Sequence, residues 1–255
     1  LEPIWESKTE TASRIRSRIE RVLDWARVKG LREGENPARW RGNLEHVFPA
    51  PTKLKNIKHH IALPYKNVNS YYSILKNKNG VAAKALQLII LTSCRIREVR
   101  LAKWSEFDFD NKTWTIPKER MKGSVKHIVP LTEEIIKSLN GLPKITGEDF
   151  LFPSSKPKKP ISDTSITNLM KAIGSKVGHG DITNHGFRST FRDWGSEEKD
   201  FDWQTLEFCL AHQLKDKTAA AYARGNQLEK RRVIMEHWAN YCLNLENVSN
   251  VTSIV

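Results

Sequence analysis

The spacing of apolar residues changes period in the middle of this chain and then changes back, which limits the folds open to it. Over most of the chain before residue 104 and after residue 131, apolar side chains recur at three- and four-residue intervals, as on one face of a helix. Between these limits Thr113-Trp114-Thr115-Ile116 alternates as a strand does, and Asp110-Asn111-Lys112 has turn chemistry. We predict a mainly α fold with a small antiparallel β-sheet, an α+β architecture, with strands over 107–109, 113–116 and 127–131.

The helical pattern is interrupted by prolines, glycines and polar loops. Ser7 and Glu10 have the spacing of a capping box and predict the start of the first helix. Helices are predicted over 7–29, 37–47, 68–75, 81–92, 96–103, 132–139, 163–177, 186–198, 202–211, 216–224 and 227–245.

Composition divides the chain into three parts. Residues 1–48 are predicted to form a helical domain, and residues 67–255 a larger domain. Residues 49–66 are rich in proline and lysine and show no period, so they are predicted to be a basic linker. Because the first residue is Leu1 rather than Met, we expect a fragment of a longer protein. For the tail 247–255, whose apolar residues are Val248, Val251, Ile254 and Val255, disorder and docking as a strand both remain open.

The charge balance favours a polyanionic partner. The formal net charge is +13 at pH 7, an excess typical of nucleic-acid-binding proteins, although a solvated basic surface is the alternative. Three scattered cysteines fit neither a disulfide framework nor a CxxC zinc site and suggest a reducing cytoplasm. The longest apolar run is broken by Lys84 and Gln87, so no membrane segment is expected.

Several residues that suit phosphate chemistry follow one another along the larger domain. A phenol can attack a phosphodiester, while arginines and imidazoles hold the charge that develops on the phosphate. His185 and Arg188 share one face at the start of a predicted helix, where anions are favoured. Each residue alone is more often an ordinary surface or core residue. The candidates are Arg95, Lys122, His185, Arg188, His212 and Tyr222, with Lys118 and Lys126 as alternatives to Lys122 on the same hairpin.

The order of these motifs resembles that of the tyrosine recombinase (phage integrase) family. The flanking Asp193-Trp194 and Met235-x-x-Trp238 further resemble integrases of satellite prophages and genomic islands. The family usually has glycine where Ser93 stands, and this subgroup often has glycine where Arg97 stands. The motifs are Thr92-Ser93-Cys94-Arg95-x-x-Glu98, Met121-Lys122, Val129-Pro130-Leu131, His185-Gly186-Phe187-Arg188, Leu210-Ala211-His212 and Ala221-Tyr222.

The resemblance implies a role for each candidate. Arg95 and Arg188 would clamp the scissile phosphate, and His212 would donate a hydrogen bond to it. His185 would share the proton of the nucleophile Tyr222, which forms a 3′-phosphotyrosine. Lys122 on its hairpin would protonate the leaving 5′-oxygen, and Glu98 would support the site.

The resemblance also implies the fold and the partners. The fold would be the tyrosine recombinase catalytic fold, preceded by part of a helical core-DNA-binding domain. No cofactor and no metal are expected. The partners would be double-stranded DNA at attachment core sites, three further copies in a tetramer on DNA (with a free monomer), and an excisionase or host DNA-bending protein. The location would be the bacterial cytoplasm, at the nucleoid. The DNA contacts are predicted at Arg14, Arg18, Arg39, Lys53, Lys55 and Lys58.

Two other functions remain open at this point. A type IB topoisomerase would use the same chemistry, although the small size and the subgroup motifs argue against it. A non-catalytic basic DNA-binding protein could have kept the same fold.

Overall fold

The computed structural model describes residues 1–54, 60–212 and 227–245. It divides the chain into two compact units, Leu1–His59 and His60–Val255. The boundary between the units falls inside the basic segment 49–66. The predicted helix 216–224, the tail, Lys55, Lys58 and Tyr222 lie outside the described residues.

The first unit is held by aromatic packing. The Trp5 ring stacks on those of Trp40 and Phe48, with centroids 5.5 and 4.7 Å apart. The Trp5 Nε1–H donates to the carbonyl of Pro49 at 3.0 Å, so a buried indole has its polar group satisfied. The helices of this unit are α1 (Glu2–Trp5), α2 (Thr9–Val28) and α3 (Pro51–Leu54).

The predicted capping box at the start of the first helix is wrong. Helix α2 begins at Thr9, after Lys8, and no side chain caps it. The Glu10 carboxylate instead pairs with Arg14 one turn further on, at 2.8 Å.

The prediction of a helix over 37–47 is also wrong, since this stretch forms turns and one 3₁₀ turn, Leu44–His46. Side chains compete for the backbone groups that a helix would use. The side-chain oxygen Oδ1 of Asn36 accepts from the Ala38 N–H at 2.9 Å, and a carboxylate oxygen of Glu20 accepts from the Trp40 N–H at 3.2 Å. Gly42, at φ +72°, then adopts a left-handed conformation that interrupts any helix.

The second unit is built from helices around a small sheet, as predicted. Helix α5 matches its predicted bounds, and α6 is shorter than predicted because the chain turns after Arg100. The helices are α4 (Val68–Lys76), α5 (Val81–Thr92), α6 (Ile96–Arg100), α7 (Glu133–Asn140), α8 (Asp163–Lys176), α9 (Gly186–Glu197), α10 (Trp203–Cys209) and α11 (Leu228–Leu243).

The structure confirms the predicted small antiparallel sheet. Strands β1 (Phe107–Asp108), β2 (Thr113–Ile116) and β3 (His127–Pro130) pair antiparallel in sequence order. The inward face of β2 carries Trp114 and Ile116, both fully buried, as the two-residue period requires. Since Ile116 pairs with His127, residues 117–126 form a hairpin that projects from the sheet.

Helix α5 is the centre of the core. Every residue from Ala85 to Thr92 is buried, so this helix is apolar on nearly all sides. It contacts α4, α7, α8 and α11. The indole of Trp238 on α11 donates to the Ile90 carbonyl at 2.8 Å, which fixes α11 against it. Residue 93, where α5 ends, is thereby placed deep in the unit.

Helix α9 begins against a close backbone neighbour. A Cβ at Gly186 would lie 2.2 Å from the Ile61 carbonyl oxygen, so only glycine fits there. The Thr183 N–H and the Thr190 hydroxyl donate to the carbonyls of Ile61 and Leu63 at 3.0 and 2.6 Å. These contacts set the position of the helix start that carries His185. Among the described helices, none has the length and apolar character needed to cross a bilayer.

Candidate active site

Arg188 lies at the centre of the site and is 4% exposed. Its Nη1 donates to the Ser93 carbonyl and its Nη2 to the Leu210 carbonyl, both at 2.6 Å. Nη2 also lies 3.0 Å from Nε2 of His212. Burial, and then the charge of Arg95, lowers the pKa of Arg188 to about 10, so the guanidinium is still charged at neutral pH. Arg188 therefore joins the end of α5 to the end of α10.

Ser93 adopts a strained backbone conformation. Ser93 has φ +53° and ends α5 as a left-handed cap, a region in which a Cβ is unfavourable. Its hydroxyl is buried and has no hydrogen-bond partner among the described residues. Glycine would relieve both costs, which gives a physical reason for the glycine that the family usually has there.

We expect Ser93→Gly to raise the free energy of unfolding by about 1 kcal/mol, because the left-handed conformation costs an L-residue roughly that much. Urea denaturation measures it. Ser73→Gly, in the middle of α4, is the matched control and should instead lower the stability by about 0.5 kcal/mol through helix propensity. A loss of stability in Ser93→Gly would contradict the strain argument.

Arg95 stands immediately before α6 and is anchored by Glu98. A Glu98 carboxylate oxygen accepts from Nη1 of Arg95 at 2.8 Å, and the other accepts from the Arg95 backbone N–H at 2.7 Å. The Glu98 side chain is 2% exposed and that of Arg95 is 24% exposed. Glu98 is the one hydrogen-bond partner of the Arg95 side chain among the described residues. Within residues 1–54, 60–212 and 227–245, the remaining donors of this guanidinium have no acceptor and are available to an anion.

His212 is brought back over α10 by a tight turn. Ala211 has φ +50°, and the His212 N–H donates to the Glu207 carbonyl at 3.0 Å, the pattern of a Schellman motif. This turn places Nδ1 of His212 2.7 Å from a Glu207 carboxylate oxygen. Glu207 was not anticipated from the sequence, because its five-residue separation from His212 is not a helical contact spacing.

His185 is the residue immediately before α9, and arginines and imidazoles surround it. Its ring lies 4.6 Å from that of His60. Burial lowers its pKa most, followed by the charges of Arg188, His60, Arg95 and His212. The imidazole is therefore neutral at neutral pH and can accept a proton. His60 is a second residue that the motif order could not reveal.

Arg231 is a third buried or partly buried arginine near His127, together with Arg188 and Arg95. Arg231 on α11 is 2% exposed and donates to the Ile128 carbonyl of β3 at 2.5 Å. Burial, then Arg231, Arg188 and Arg95, lowers the pKa of the buried His127 to about 3, so His127 is neutral. The described part of the site thus concentrates positive charge, which a bound anion would relieve.

Lys122 lies on the exposed hairpin between β2 and β3. The hairpin is anchored two residues earlier by Arg120, whose guanidinium donates to the Glu106 carboxylate and to the Leu101 carbonyl just after α6. Glu106 also accepts from the Trp114 indole at 3.0 Å. No hydrogen bond or ion pair joins Lys122 to the arginines or histidines within the described residues. The structure therefore brings together Arg95, His185, Arg188 and His212. Lys122 lies apart from this group, on the hairpin between β2 and β3.

The predicted DNA contacts of the first unit are at its surface where they are described. Arg18 and Lys53 are exposed, while Arg14 and Arg39 pair with Glu10 and Glu35 at 2.8 Å. Arg16, on the same helix, is packed: its Nη1 donates to the Ala38 carbonyl at 2.7 Å. Arg16 therefore stabilises the fold, and the exposed Arg14, Arg18 and Arg39 are the arginines accessible to a ligand.

The described acidic side chains of the site are separated from one another. Within the described ranges, no three His, Cys, Asp or Glu side chains are grouped as a metal ion would require. Glu98 and Glu207 each pair with a cationic or imidazole group. The donors described so far suit an anionic ligand.

Solved structures of similar fold are recombinases. A lambda integrase (75–356) dimer bound to a COC′ core site matches with a TM-score of 0.59 and 19% identity, covering 83% of this chain and 75% of that one. The Tn1549 transposon integrase in complex with circular intermediate DNA matches with a TM-score of 0.58 and 15% identity, covering 88% of this chain and 78% of that one. The fold is that of the tyrosine recombinase catalytic domain.

The sequence comparisons identify the family. The model of the phage integrase family matches residues 62–229, and that of the phage integrase central domain matches residues 1–43. The chain belongs to the phage integrase family, as its ordered motifs predicted.

Curated relatives come from phages and prophages. The integrase of Enterobacteria phage P4 is 28% identical over 92% of this chain and 55% of its own length. Prophage integrase IntA of Escherichia coli K12 is 30% identical over 91% of this chain and 54% of its own length. The chain therefore spans about half the length of the curated relatives it matches.

Proposed function

We propose that the protein is a site-specific DNA recombinase that cleaves and rejoins strands through a 3′-phosphotyrosine, for integration and excision of a mobile element. The observation that carries the proposal is the convergence of Arg95 and Arg188 beside two imidazoles. Two guanidiniums match the non-bridging oxygens of a phosphodiester and stabilise the charge that gathers there in the transition state.

Each described group has a role that its surroundings suit. Arg95 and Arg188 hold the phosphate, and His212 donates to it. Tyr222 attacks the phosphorus, and His185, held neutral by burial and by its cationic neighbours, accepts the phenol proton. The phosphotyrosine bond conserves the energy of the cleaved bond, so a 5′-hydroxyl can reseal the strand without ATP.

The partners follow from the same proposal. The substrate is double-stranded DNA at an attachment core site, which four copies would join in a tetramer assembled from free monomers. The exposed Arg14, Arg18, Arg39 and Lys53 would bind phosphates of this DNA, as would Lys55 and Lys58 outside the described residues. An excisionase or a host DNA-bending protein would select the direction, in the bacterial cytoplasm at the nucleoid.

A nicked suicide duplex that carries the cognate core site tests the activity. Cleavage releases a short strand that diffuses away, so the covalent protein–DNA adduct accumulates and is seen on a denaturing gel. Peptide mass spectrometry of the adduct should place the nucleotide on the peptide that contains Tyr222. Absence of an adduct would sink the recombinase proposal and favour a non-catalytic DNA-binding protein. Relaxation of supercoiled plasmid without recombination would favour a topoisomerase.

Lys122→Ala provides a separate prediction for the leaving group. We expect the cleavage rate to fall about 10²–10⁴-fold, the usual contribution of a general acid. A 5′-bridging sulfur leaves without a proton, so the variant should recover most of its rate on that substrate. Lys118→Ala, on the same hairpin, is the matched control. An equal defect of Lys122→Ala on both substrates would contradict the general-acid role.

A further inference from the structure

The hydrogen bonds of His212 define which ring nitrogen carries its proton. Nε2 lies 3.0 Å from Nη2 of Arg188, and Nδ1 lies 2.7 Å from a carboxylate oxygen of Glu207. A guanidinium can donate but cannot accept, so Nε2 must present its lone pair. The proton is then on Nδ1, and it is donated to Glu207.

Glu207 is itself held from its other side. Arg192 of α9 has its Nε 3.4 Å from the second carboxylate oxygen, and its guanidinium lies 4.0 Å above the Trp203 ring. The Glu207 side chain is 14% exposed. The carboxylate therefore lies between His212, which it hydrogen-bonds, and Arg192, with which it forms a longer ion pair.

The charged groups around His212 oppose one another. Burial lowers its pKa most; Glu207 of α10 raises it, and Arg188 of α9 and Arg95 before α6 lower it. His185 is a further positive neighbour when it is protonated. The net effect is a lowered pKa, so His212 is neutral at neutral pH in the arrangement without DNA.

This arrangement conflicts with the role that His212 has in the proposed function. A donor to phosphate needs a proton on Nε2, but here Nε2 accepts a hydrogen bond from Arg188. We propose that Glu207 is a positioning residue that fixes His212 in the Nδ1–H form, so that His212 donates to the scissile phosphate only after Nε2 takes up a proton. The inference rests on the proposed function and adds a proton-coupled step to it.

The exchange involves hydrogen bonds and one proton. A phosphate oxygen accepts the Nη2–H of Arg188 and thereby frees the lone pair of Nε2. A proton from solvent binds there, and the new Nε2–H donates to a phosphate oxygen. The Glu207 carboxylate balances the imidazolium charge through Nδ1–H, as a carboxylate does for a histidine in other sites. No bond of the DNA changes in this step.

Nitrogen-15 spectra of the histidine-labelled chain test the tautomer without DNA. The unprotonated ring nitrogen resonates far from the protonated one, and the His212 signals are assigned by their loss in His212→Gln. Above its titration range we expect Nδ1–H in the wild type and in Glu207→Gln, whose amide oxygen still accepts. We expect a loss of the preference in Glu207→Ala, because the ring is then no longer held with Nε2 against Arg188. An Nε2–H form in the wild type, or an Nδ1–H form that persists in Glu207→Ala, overturns the proposal.

The pH dependence of adduct formation tests the proton uptake. The rate should fall as the pH rises through the His212 titration, because Nε2 then stays unprotonated. Glu207→Gln should move this falling limb to lower pH by roughly one unit, the usual effect of losing an opposite charge at contact distance. Glu198→Gln, the same change on an exposed residue after α9, should leave it in place. An unmoved limb in Glu207→Gln overturns the coupling.

The two failures are distinguishable. If the wild type forms no adduct on the suicide duplex, the proposed function fails, and the spectra still decide whether Glu207 sets the tautomer. If the adduct forms but the spectra or the pH limb disagree, the recombinase stands and the role of Glu207 is rejected.

Discussion

We expect Tyr222→Phe to abolish the covalent adduct on a nicked core-site duplex and to leave DNA binding intact. The substitution removes one oxygen atom, the atom that would attack phosphorus, and keeps the ring. The adduct should fall below detection on a denaturing gel, while the affinity in a gel-shift assay should stay within about twofold, since no phosphate-binding cation is changed.

The described tyrosines make poor substitutes for this nucleophile. Tyr71 and Tyr72 are buried, and burial raises the pKa of both phenols far above the ordinary value. The Tyr71 hydroxyl also donates to the Met170 carbonyl at 3.0 Å. The ring centroids of Tyr65 and Tyr241 lie 6.4 Å apart, and the Tyr241 ring also stacks on that of Trp238, so both phenols belong to a packed aromatic group.

Tyr65→Phe is the matched control for Tyr222→Phe. It removes the same atom from a phenol in the same unit and should retain the adduct. An adduct that persists in Tyr222→Phe would reject Tyr222 as the nucleophile, and its loss in Tyr65→Phe alone would move the assignment to the start of the second unit.

Arg188→Ala should be the most damaging change among the described residues. It leaves the buried carbonyls of Ser93 and Leu210 without their donor, and an unsatisfied buried acceptor costs about 1–3 kcal/mol, so we expect a loss of roughly 3 kcal/mol in the free energy of unfolding. Urea denaturation measures this loss. The cleavage rate of the folded fraction should fall at least about 10²–10³-fold, as for removal of one transition-state donor.

Arg188→Lys separates the two effects. Lysine keeps the charge but cannot donate to two carbonyls and a phosphate in one plane, so we expect a smaller stability loss with most of the rate loss. Single-turnover cleavage on the suicide duplex gives the rate. Arg100→Lys is the control: this arginine bonds the Ile161 carbonyl at 3.2 Å and an Asp163 carboxylate. If folded Arg188→Lys cleaves DNA at the wild-type rate, Arg188 is rejected as a residue that binds the scissile phosphate.

Much of the fold could be predicted because it depends on local pattern. The strand alternation of 113–116 and the apolar helix 81–92 have their predicted bounds, since each is specified by its own period. The stretch 37–47 failed for the opposite reason. Its backbone groups are taken by Asn36 and Glu20, and Glu20 lies on another element, so a local window contains only part of the cause.

The site divides in the same way. The sequence by itself determined the family and the candidate groups, because the order of Arg95, His185-x-x-Arg188 and His212 is a property of the chain. The tertiary structure decided their relations. The left-handed turns at Ser93 and Ala211 place a carbonyl on Arg188 and His212 on Glu207. Such contacts depend on where the backbone reverses direction and on which distant elements pack together. The spacing of residues along the sequence reveals neither of these.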